Sequence, residues 1–415
     1  MHILFVLHQF FPEFSGGTER VTLNLARMAQ RAGHRVQVLA CRVDPQRPVG
    51  GVPAALPGAV DSVFDGVPVT LLDRRTLPEI DSALADGPTL AAPLDAWLAE
   101  HRFDVVHALH PMRMGSVLAA VQRAGLPLLL TLTDYFAPCF RINLVDVQGQ
   151  PCEGPEGGRA CTTRCASSSW PMAALQTRLA QGEALLRQAS ACIAPSAHVA
   201  RRYQEIYPGL AVEQIPHGVD LLAIAAARPT DAAARPLTLG FVGALIPPKG
   251  LHVLLAALRA LPELPLRLQV AGHFHDEAYA QQIRQAAQQD ARVQLLGGLA
   301  APEVHALMHG LDLLCLPSLV PESFSLVVHE AAAAGVPALV SDLGAPAEAI
   351  GRSGAGAVVP AGAVDAWTQA LRDWATQPER QTAWRRAVRL PMRIEEEAFL
   401  YESLYRSALS AVSEA

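Results

Sequence analysis

The 415-residue chain contains a single lysine, Lys249; every other cation among its 33 basic side chains is arginine. Charge is sparse altogether, at 17% of residues, and the formal net charge is −6. No global positive field is present to hold a polyanion, which excludes a general nucleic-acid binder. No apolar run reaches the roughly 20 residues that span a bilayer. The longest, near 126–132, is interrupted by Pro127 and Thr131. The opening Met1-His2-Ile3-Leu4-Phe5-Val6-Leu7 lacks the basic stretch and small-residue cleavage site of an export signal, and it reads as a strand. These absences set the expectation of a cytoplasmic protein whose seven cysteines are thiols or metal ligands before they are disulfides. Apolar residues, by contrast, make up 51% of the chain, enough to drive ordering. The length suits two or three domains of about 150 residues each.

Short apolar runs alternate with stretches of helical spacing. Residues 3–7, 36–39, 67–71, 105–108, 128–131 and 192–194 read as strands. Val21, Leu25, Met28 and Ala29 predict a helix over 18–32, stopped by Gly33, and Pro195-Ser196 opens another. After His217-Gly218-Val219-Asp220 the pattern breaks, and the Ala- and Pro-rich residues 221–236 read as a linker. Alternation then resumes with strands at 237–242, 266–271, 293–295, 313–316 and 337–340, and helices at 250–260, 277–288, 302–309 and 324–334. The fold class is therefore α/β, with two Rossmann-like, doubly wound domains over 1–220 and 237–390 and a ligand-binding cleft between them. Residues 391–415 include a polar helix over 395–411 with no strand to pair with, expected to cross back and brace the first domain.

The richest stretch is Pro317-Ser318-Leu319-Val320-Pro321-Glu322-Ser323-Phe324-Ser325-Leu326, running on to Glu330. It leaves a buried strand, passes a Pro-bounded loop and opens a helix that Ser323 can cap, with the first amides able to meet an anion. Glu322 before the helix and Glu330 about two turns in suit a polyhydroxyl ligand, because carboxylates accept hydrogen bonds from adjacent hydroxyls. A loop charge and a solvated helix residue would account for the same two positions. Lys249 falls between a strand and a helix, where a compact ammonium can reach phosphate as a point charge. Gly16-Gly17 after the first strand permits close backbone approach to a ligand, or a plain turn. His107 and His110 lie near a strand end, as site residues or as satisfied core residues. Asp134 can orient a hydroxyl or cap a turn. Arg20, Arg27 and Arg31, and likewise Arg385, Arg386, Arg389 and Arg393, read as solvated basic faces or as attraction to an anionic acceptor or lipid head groups.

These motifs, in this order, resemble the retaining family 4 glycosyltransferases of GT-B fold. The Glu322–Glu330 spacing matches the family's Glu-x7-Glu signature. The likeness extends through Ala331–Gly335, Val336-Pro337, Ser341-Asp342, Gly344 and Glu348, and upstream through Pro216-His217-Gly218-Val219-Asp220, Gly243, Lys249-Gly250 and Gly16-Gly17. Ala345 replaces a family glycine, Ala244 replaces the Arg of V-G-R-L, and Leu109 and Thr133 stand where histidines are usual. The resemblance implies transfer of a sugar from a nucleotide diphosphate sugar to a glycan or lipid-linked acceptor, with no cofactor required for catalysis. It further implies that Gly16, Gly17, Gly243, Lys249 and the amides of Ser323, Phe324, Ser325 and Leu326 meet the donor. Glu330 would hold the ribose and Glu322 the sugar, His107 or His110 would contact the donor sugar, and Asp134 would face the acceptor. Weak peripheral membrane association is also expected. The alternatives are a nucleotide-sugar epimerase or hydrolase, and an inactive nucleotide-sugar-binding protein.

Cys139, Cys152, Cys161 and Cys165 lie within 27 residues of an irregular, Gly- and Pro-bearing stretch. Four thiolates there suit a structural zinc ion; disulfides, redox thiols or unliganded cysteines remain the other readings.

Overall fold

The computed structural model describes residues 1–42, 44, 49–77, 84, 86–165, 170–221 and 236–413. Nearly all of the expected linker, 222–235, lies outside the described residues. The chain divides into two compact units, one of Met1–Gly218 with Ile394–Ala415 and one of Val219–Arg393.

The first unit contains β1 (His2–Val6), β2 (Arg35–Arg42), β3 (Val52–Pro53), β4 (Val60–Phe64), β5 (Val67–Asp73), β6 (Val105–Ala108), β7 (Leu128–Thr131), β8 (Ala191–Ala194) and β9 (Glu213–Gln214). They form one sheet in the order β3-β4-β5-β2-β1-β6-β7-β8-β9. All neighbours are parallel except β3–β4 and β4–β5. Every residue of β1, β6 and β7 is buried, as expected of parallel strands covered on both faces. The second unit contains β10 (Leu237–Val242), β11 (Leu266–Ala271), β12 (Val293–Gly297), β13 (Leu313–Leu316), β14 (Ala338–Ser341) and β15 (Gly356–Val359). Its sheet runs β12-β11-β10-β13-β14-β15, all parallel.

In each sheet the chain winds outward from a first strand and then returns to its other side. The order reverses between β1 and β6, and again between β10 and β13. Ligands of doubly wound sheets bind beyond the carboxyl ends of the strands flanking such a reversal.

The helix Ile394–Ser413 belongs to the first unit and packs beside the helix Gly17–Arg31. Glu397, Tyr401 and Tyr405 recur every fourth residue and so share one face. All three are buried. Glu397 Oε1 bonds His217 Nδ1 at 2.9 Å, and the Gly218 amide donates to Glu397 Oε2 at 2.9 Å. The Tyr401 hydroxyl pairs with Thr131 Oγ1 at 2.8 Å, and the Tyr405 hydroxyl with His107 Nδ1 at 2.8 Å. A polar stripe therefore seats the last helix, and each buried partner is satisfied by it.

Candidate functional site

The sheet reversal of the second unit brings two loops together. The loop after β10 passes Gly243, whose amide donates to the Ala271 carbonyl at 3.0 Å, and makes a 3-10 turn over Pro247–Lys249. Gly250 follows at φ +72°, and a Cβ there would lie 1.9 Å from the Pro317 carbonyl oxygen. Only glycine allows that approach. The Leu319 amide donates to the Pro248 carbonyl at 2.8 Å, closing the same contact. Lys249 is thereby laid against the loop after β13. Its Nζ donates to Glu322 Oε1 at 2.6 Å, and Ser318 Oγ donates to the same oxygen at 2.5 Å. The Ala345 amide holds the Glu322 carbonyl at 2.8 Å. Burial alone would raise the Glu322 carboxyl, but the Lys249 charge and the two hydrogen bonds outweigh it and hold the group below the usual carboxylate range. The Lys249 side chain remains 27% exposed and so is reachable.

The next helix begins at Leu326 and ends at Ala333, not at the expected 324 and 334. The residue preceding it is Ser325, at φ 68°, and its side chain makes no capping bond. Ser323 therefore does not cap the helix. A left-handed, non-glycine residue costs about 1–2 kcal/mol, and here it turns the chain from the loop into the helix. The first-turn amides of Leu326 and Val327 have no intrahelical acceptor. Phe324 is a packing residue, buried and stacked on the His329 ring at 4.0 Å. Glu330 sits about one turn into the helix, half-buried, rather than two turns in. The structure thus brings Lys249 and Glu322 together, with Ser318 as a partner that sequence reasoning missed.

In the first unit the two competing histidines separate. His107 is fully buried, with Nε2 on Thr131 Oγ1 at 2.7 Å and Nδ1 on Tyr405. Burial, and secondarily the charge of His217, pushes its pKa down to about 3. It is a satisfied core residue that anchors the last helix, so its expected role at the donor sugar is withdrawn. His110 lies past the end of β6. Its Nδ1 accepts from the Met112 amide at 3.2 Å, which leaves the proton on Nε2, facing Asp134 Oδ2 at 2.5 Å. The Phe136 amide donates to Asp134 Oδ1 at 2.8 Å.

Two residues not singled out from the sequence lie close to His110. Glu19, in the first turn of the helix Gly17–Arg31, is 2% exposed. Its carboxylate fills the space beside Gly16, where a Cβ would come within 2.6 Å of Oε2. Burial raises its carboxyl, while hydrogen bonds from its own amide, the Gln9 side chain and Gly16 pull the other way. Gly16 and Gly17 thus frame a buried acid. The His8 ring lies 3.9 Å from the His110 ring, centroid to centroid. Only the helix-start pattern, an acid two residues after Gly-Gly, could have signalled Glu19 in advance.

The expected zinc site does not fit. Cys139, Cys152, Cys161 and Cys165 are free thiols, and among the described residues no group of three or more His, Cys, Asp or Glu is placed to hold a metal ion. The four thiols are near one another: burial first, then the neighbouring Cys139, Cys165 and Cys152, pushes the Cys161 thiol up to about 12. This stretch is instead tied by the Cys152 amide to the Leu144 carbonyl at 2.8 Å and by the buried Arg178, which donates to the carbonyls of Phe136 and Ala137. Arginines expected on basic faces are also engaged: Arg27 pairs with Asp65 at 2.9 Å, Arg20 lies over the Phe11 ring, and Arg385 pairs with buried Asp312 at 2.6 Å.

Known proteins share this organisation. Residues 15–221 match the profile of Glycosyltransferase Family 4, and residues 226–390 that of Glycosyl transferases group 1. Phosphatidyl-myo-inositol mannosyltransferase of Mycolicibacterium smegmatis is 28% identical over 360 residues, 86% of this chain and 80% of that protein. Glycogen synthase of Mycobacterium tuberculosis is 30% identical over 369 residues, 84% of this chain and 80% of that protein. Among solved structures, sucrose-phosphate synthase of Thermosynechococcus elongatus superposes with a TM-score of 0.72 at 19% identity, covering 99% of both chains. Anabaena Alr3699/HepE, in complex with UDP and glucose, gives 0.65 at 20% identity, covering 100% of this chain and 98% of that one. These matches define a glycosyltransferase with the GT-B fold. The chain belongs to the family 4 glycosyltransferases.

Proposed function

We propose that the protein is a retaining, metal-independent transferase. It moves a hexose-like sugar from a nucleoside diphosphate to an acceptor hydroxyl in polysaccharide or other glycoconjugate synthesis. The observation that carries this reading is the Lys249–Glu322 pair at the sheet reversal of the second unit. An ammonium has three donors, so Nζ can keep Glu322 and still meet a diphosphate oxygen. The amides of Leu326 and Val327 add the positive end of a helix. These groups stabilise the charge that develops on the departing diphosphate, which is the largest service a protein renders in such a reaction. Both donors to Glu322 use Oε1, which leaves Oε2 to orient a hydroxyl of the sugar. Glu330 holds the ribose. The departing phosphate takes the proton of the acceptor hydroxyl as that hydroxyl attacks from the same face.

Ala244 stands where the family has Arg, so Lys249 is the only cation in the loop after β10. The acceptor lies against the first unit, near His110 and Asp134. The reading includes a cytoplasmic protein with weak peripheral membrane association; no helix among the described residues is long and apolar enough to cross a membrane. The complex of HepE with UDP and glucose supports a nucleotide-sugar donor, and the phosphatidyl-myo-inositol mannosyltransferase supports a lipid-linked acceptor.

Turnover of a panel of UDP-, GDP- and ADP-hexoses, with the product anomer read by proton NMR, tests the reading. The expected product keeps the donor's anomeric configuration, and chelation leaves the rate within twofold. Lys249→Ala and Glu322→Ala should each lower kcat/KM by at least about 30-fold, roughly 2 kcal/mol. An inverted product, or both variants within threefold of wild type, contradicts it. Sugar release that needs no acceptor would favour an epimerase or hydrolase.

A further inference from the structure

We infer that His8 and Glu19 form a hydroxyl-binding subsite at the head of the first sheet, and that its occupant is an uncharged polyol rather than a phosphorylated one. This rests on the transferase reading above and adds the chemical class of the acceptor.

The place is the reversal between β1 and β6, where a doubly wound sheet receives ligands. His8 follows β1 by two residues, and His110 follows β6 by two. The Glu19 side chain is only 3% exposed, yet its Oε1 has no hydrogen-bond partner. His8 Nδ1 has none either. Burying such a group unsatisfied is unfavourable, so an oxygen left without a donor in a well-bonded neighbourhood marks a place for a ligand group.

The spacing is specific. His8 Nε2 lies 3.9 Å from Glu19 Oε1, too far for a direct hydrogen bond. One oxygen about 2.8 Å from each would bridge them. A hydroxyl suits that position because it both donates, to the carboxylate, and accepts, from the imidazole. A phosphate oxygen only accepts and would confront the carboxylate with like charge.

Charge around the crevice points the same way. Glu19 and Asp134 are acids; Arg113 is the cation acting on His8. Burial, then the charges of His110 and Arg113, lowers the His8 pKa well below its ordinary value, so His8 is neutral near pH 7. The His110 ring is bonded at both nitrogens, to the Met112 amide and to Asp134. A phosphate dianion at the bridging position would sit directly against the Glu19 carboxylate. Asp134, bonded to His110 and with its side chain 24% exposed, is the more accessible of the two acids.

The test uses the full chain labelled with nitrogen-15 at histidine, following the His8 and His110 ring signals. The probes are myo-inositol and methyl α-glucoside against myo-inositol 1-phosphate and glucose 6-phosphate, with His8→Phe assigning the His8 signal while keeping a ring against His110. At least one neutral probe should shift both rings saturably, and its phosphate counterpart should bind at least tenfold more weakly. His8→Phe and Glu19→Gln should each weaken the neutral probe at least fivefold; Glu19→Gln keeps the shape of the side chain and guards against a folding artefact. If neither neutral probe moves the rings, if the phosphorylated probe binds as tightly, or if both variants bind as wild type, the subsite is wrong. Turnover of nucleotide sugars by the same protein is read separately. Turnover without polyol binding overturns this inference alone, and polyol binding with no turnover of any donor overturns the transferase reading alone.

Discussion

The two units are variations on one topology with opposite chemistry at the same position. Each sheet reverses its order beside its first strand, and each reversal is lined by a carboxylate that solvent barely touches. In the second unit that carboxylate, Glu322, is held ionised by an ammonium 2.6 Å away. In the first, Glu19 has a histidine 3.9 Å away and a carboxyl raised by burial. The difference is the group beside each carboxylate, an ammonium in one unit and an imidazole in the other. On the reading proposed above, it suits the second reversal to a diphosphate and the first to hydroxyls.

The comparison breaks most severely at Lys249. Lys249→Ala should lower kcat/KM by about 10²–10³, or roughly 3–4 kcal/mol, because it removes the main charge facing the leaving group. Asp134→Asn in the first unit should cost about tenfold, since its geometry survives and only charge is lost. Steady-state kinetics of the two variants side by side checks the ranking; equal losses would erase the contrast between the units.

Acid provides the next test, and it falls on the first unit. The His107 pKa of about 3 lies below its ordinary 6.5, so the unfolded chain takes up this proton first. Folding stability should therefore fall as pH drops below 6.5, by about 1.4 kcal/mol per pH unit from this residue until about pH 3. His107→Gln should flatten that slope in denaturant titrations between pH 7 and 4.5; an unchanged slope would mean that the ring is not held neutral.

Gly250→Ala should destabilise the second unit by at least about 1–2 kcal/mol, since a Cβ cannot coexist with the Pro317 carbonyl and φ is positive. Thermal melts monitored by the tryptophans Trp367 and Trp374, both buried in that unit, report it directly. The smallest effect concerns the pair itself. Because Glu322 is held below its ordinary pKa, the pair's stabilisation is present above that ordinary value and lost as pH falls through the lower folded one. Lys249→Met should remove that component of acid sensitivity and leave the His107 slope in place.

The sheets were readable in the sequence because parallel strands buried on both faces are continuous apolar runs, as in β1, β6 and β13. The antiparallel edge was not, because β3 is exposed, β4 is at most half-buried, and neither carries such a run. Lys249 stood out as the one lysine, in a loop between a strand and a helix, and Glu322 through its loop position and its spacing to Glu330; that the two loops meet only the structure shows. His107 misled because the residue that satisfies it, Tyr405, is 298 positions away on a helix whose docking no local pattern encodes. The helix start moved to Leu326 because Ser325 adopts a left-handed conformation that composition does not announce. The four cysteines suggested a metal by their clustering in one irregular stretch, but the described residues form no group of three or more placed to hold one. Their stretch is ordered instead by backbone bonds and by Arg178, forty-odd residues from the carbonyls it binds.

Calorimetric titration of UDP, GDP and ADP into the wild-type chain and into Lys249→Ala tests the central assignment most directly. The account expects at least one of these nucleotides to bind the wild type and to bind the variant at least tenfold more weakly. Equal affinity for both proteins, or no binding of any of the three, would contradict a diphosphate site at Lys249.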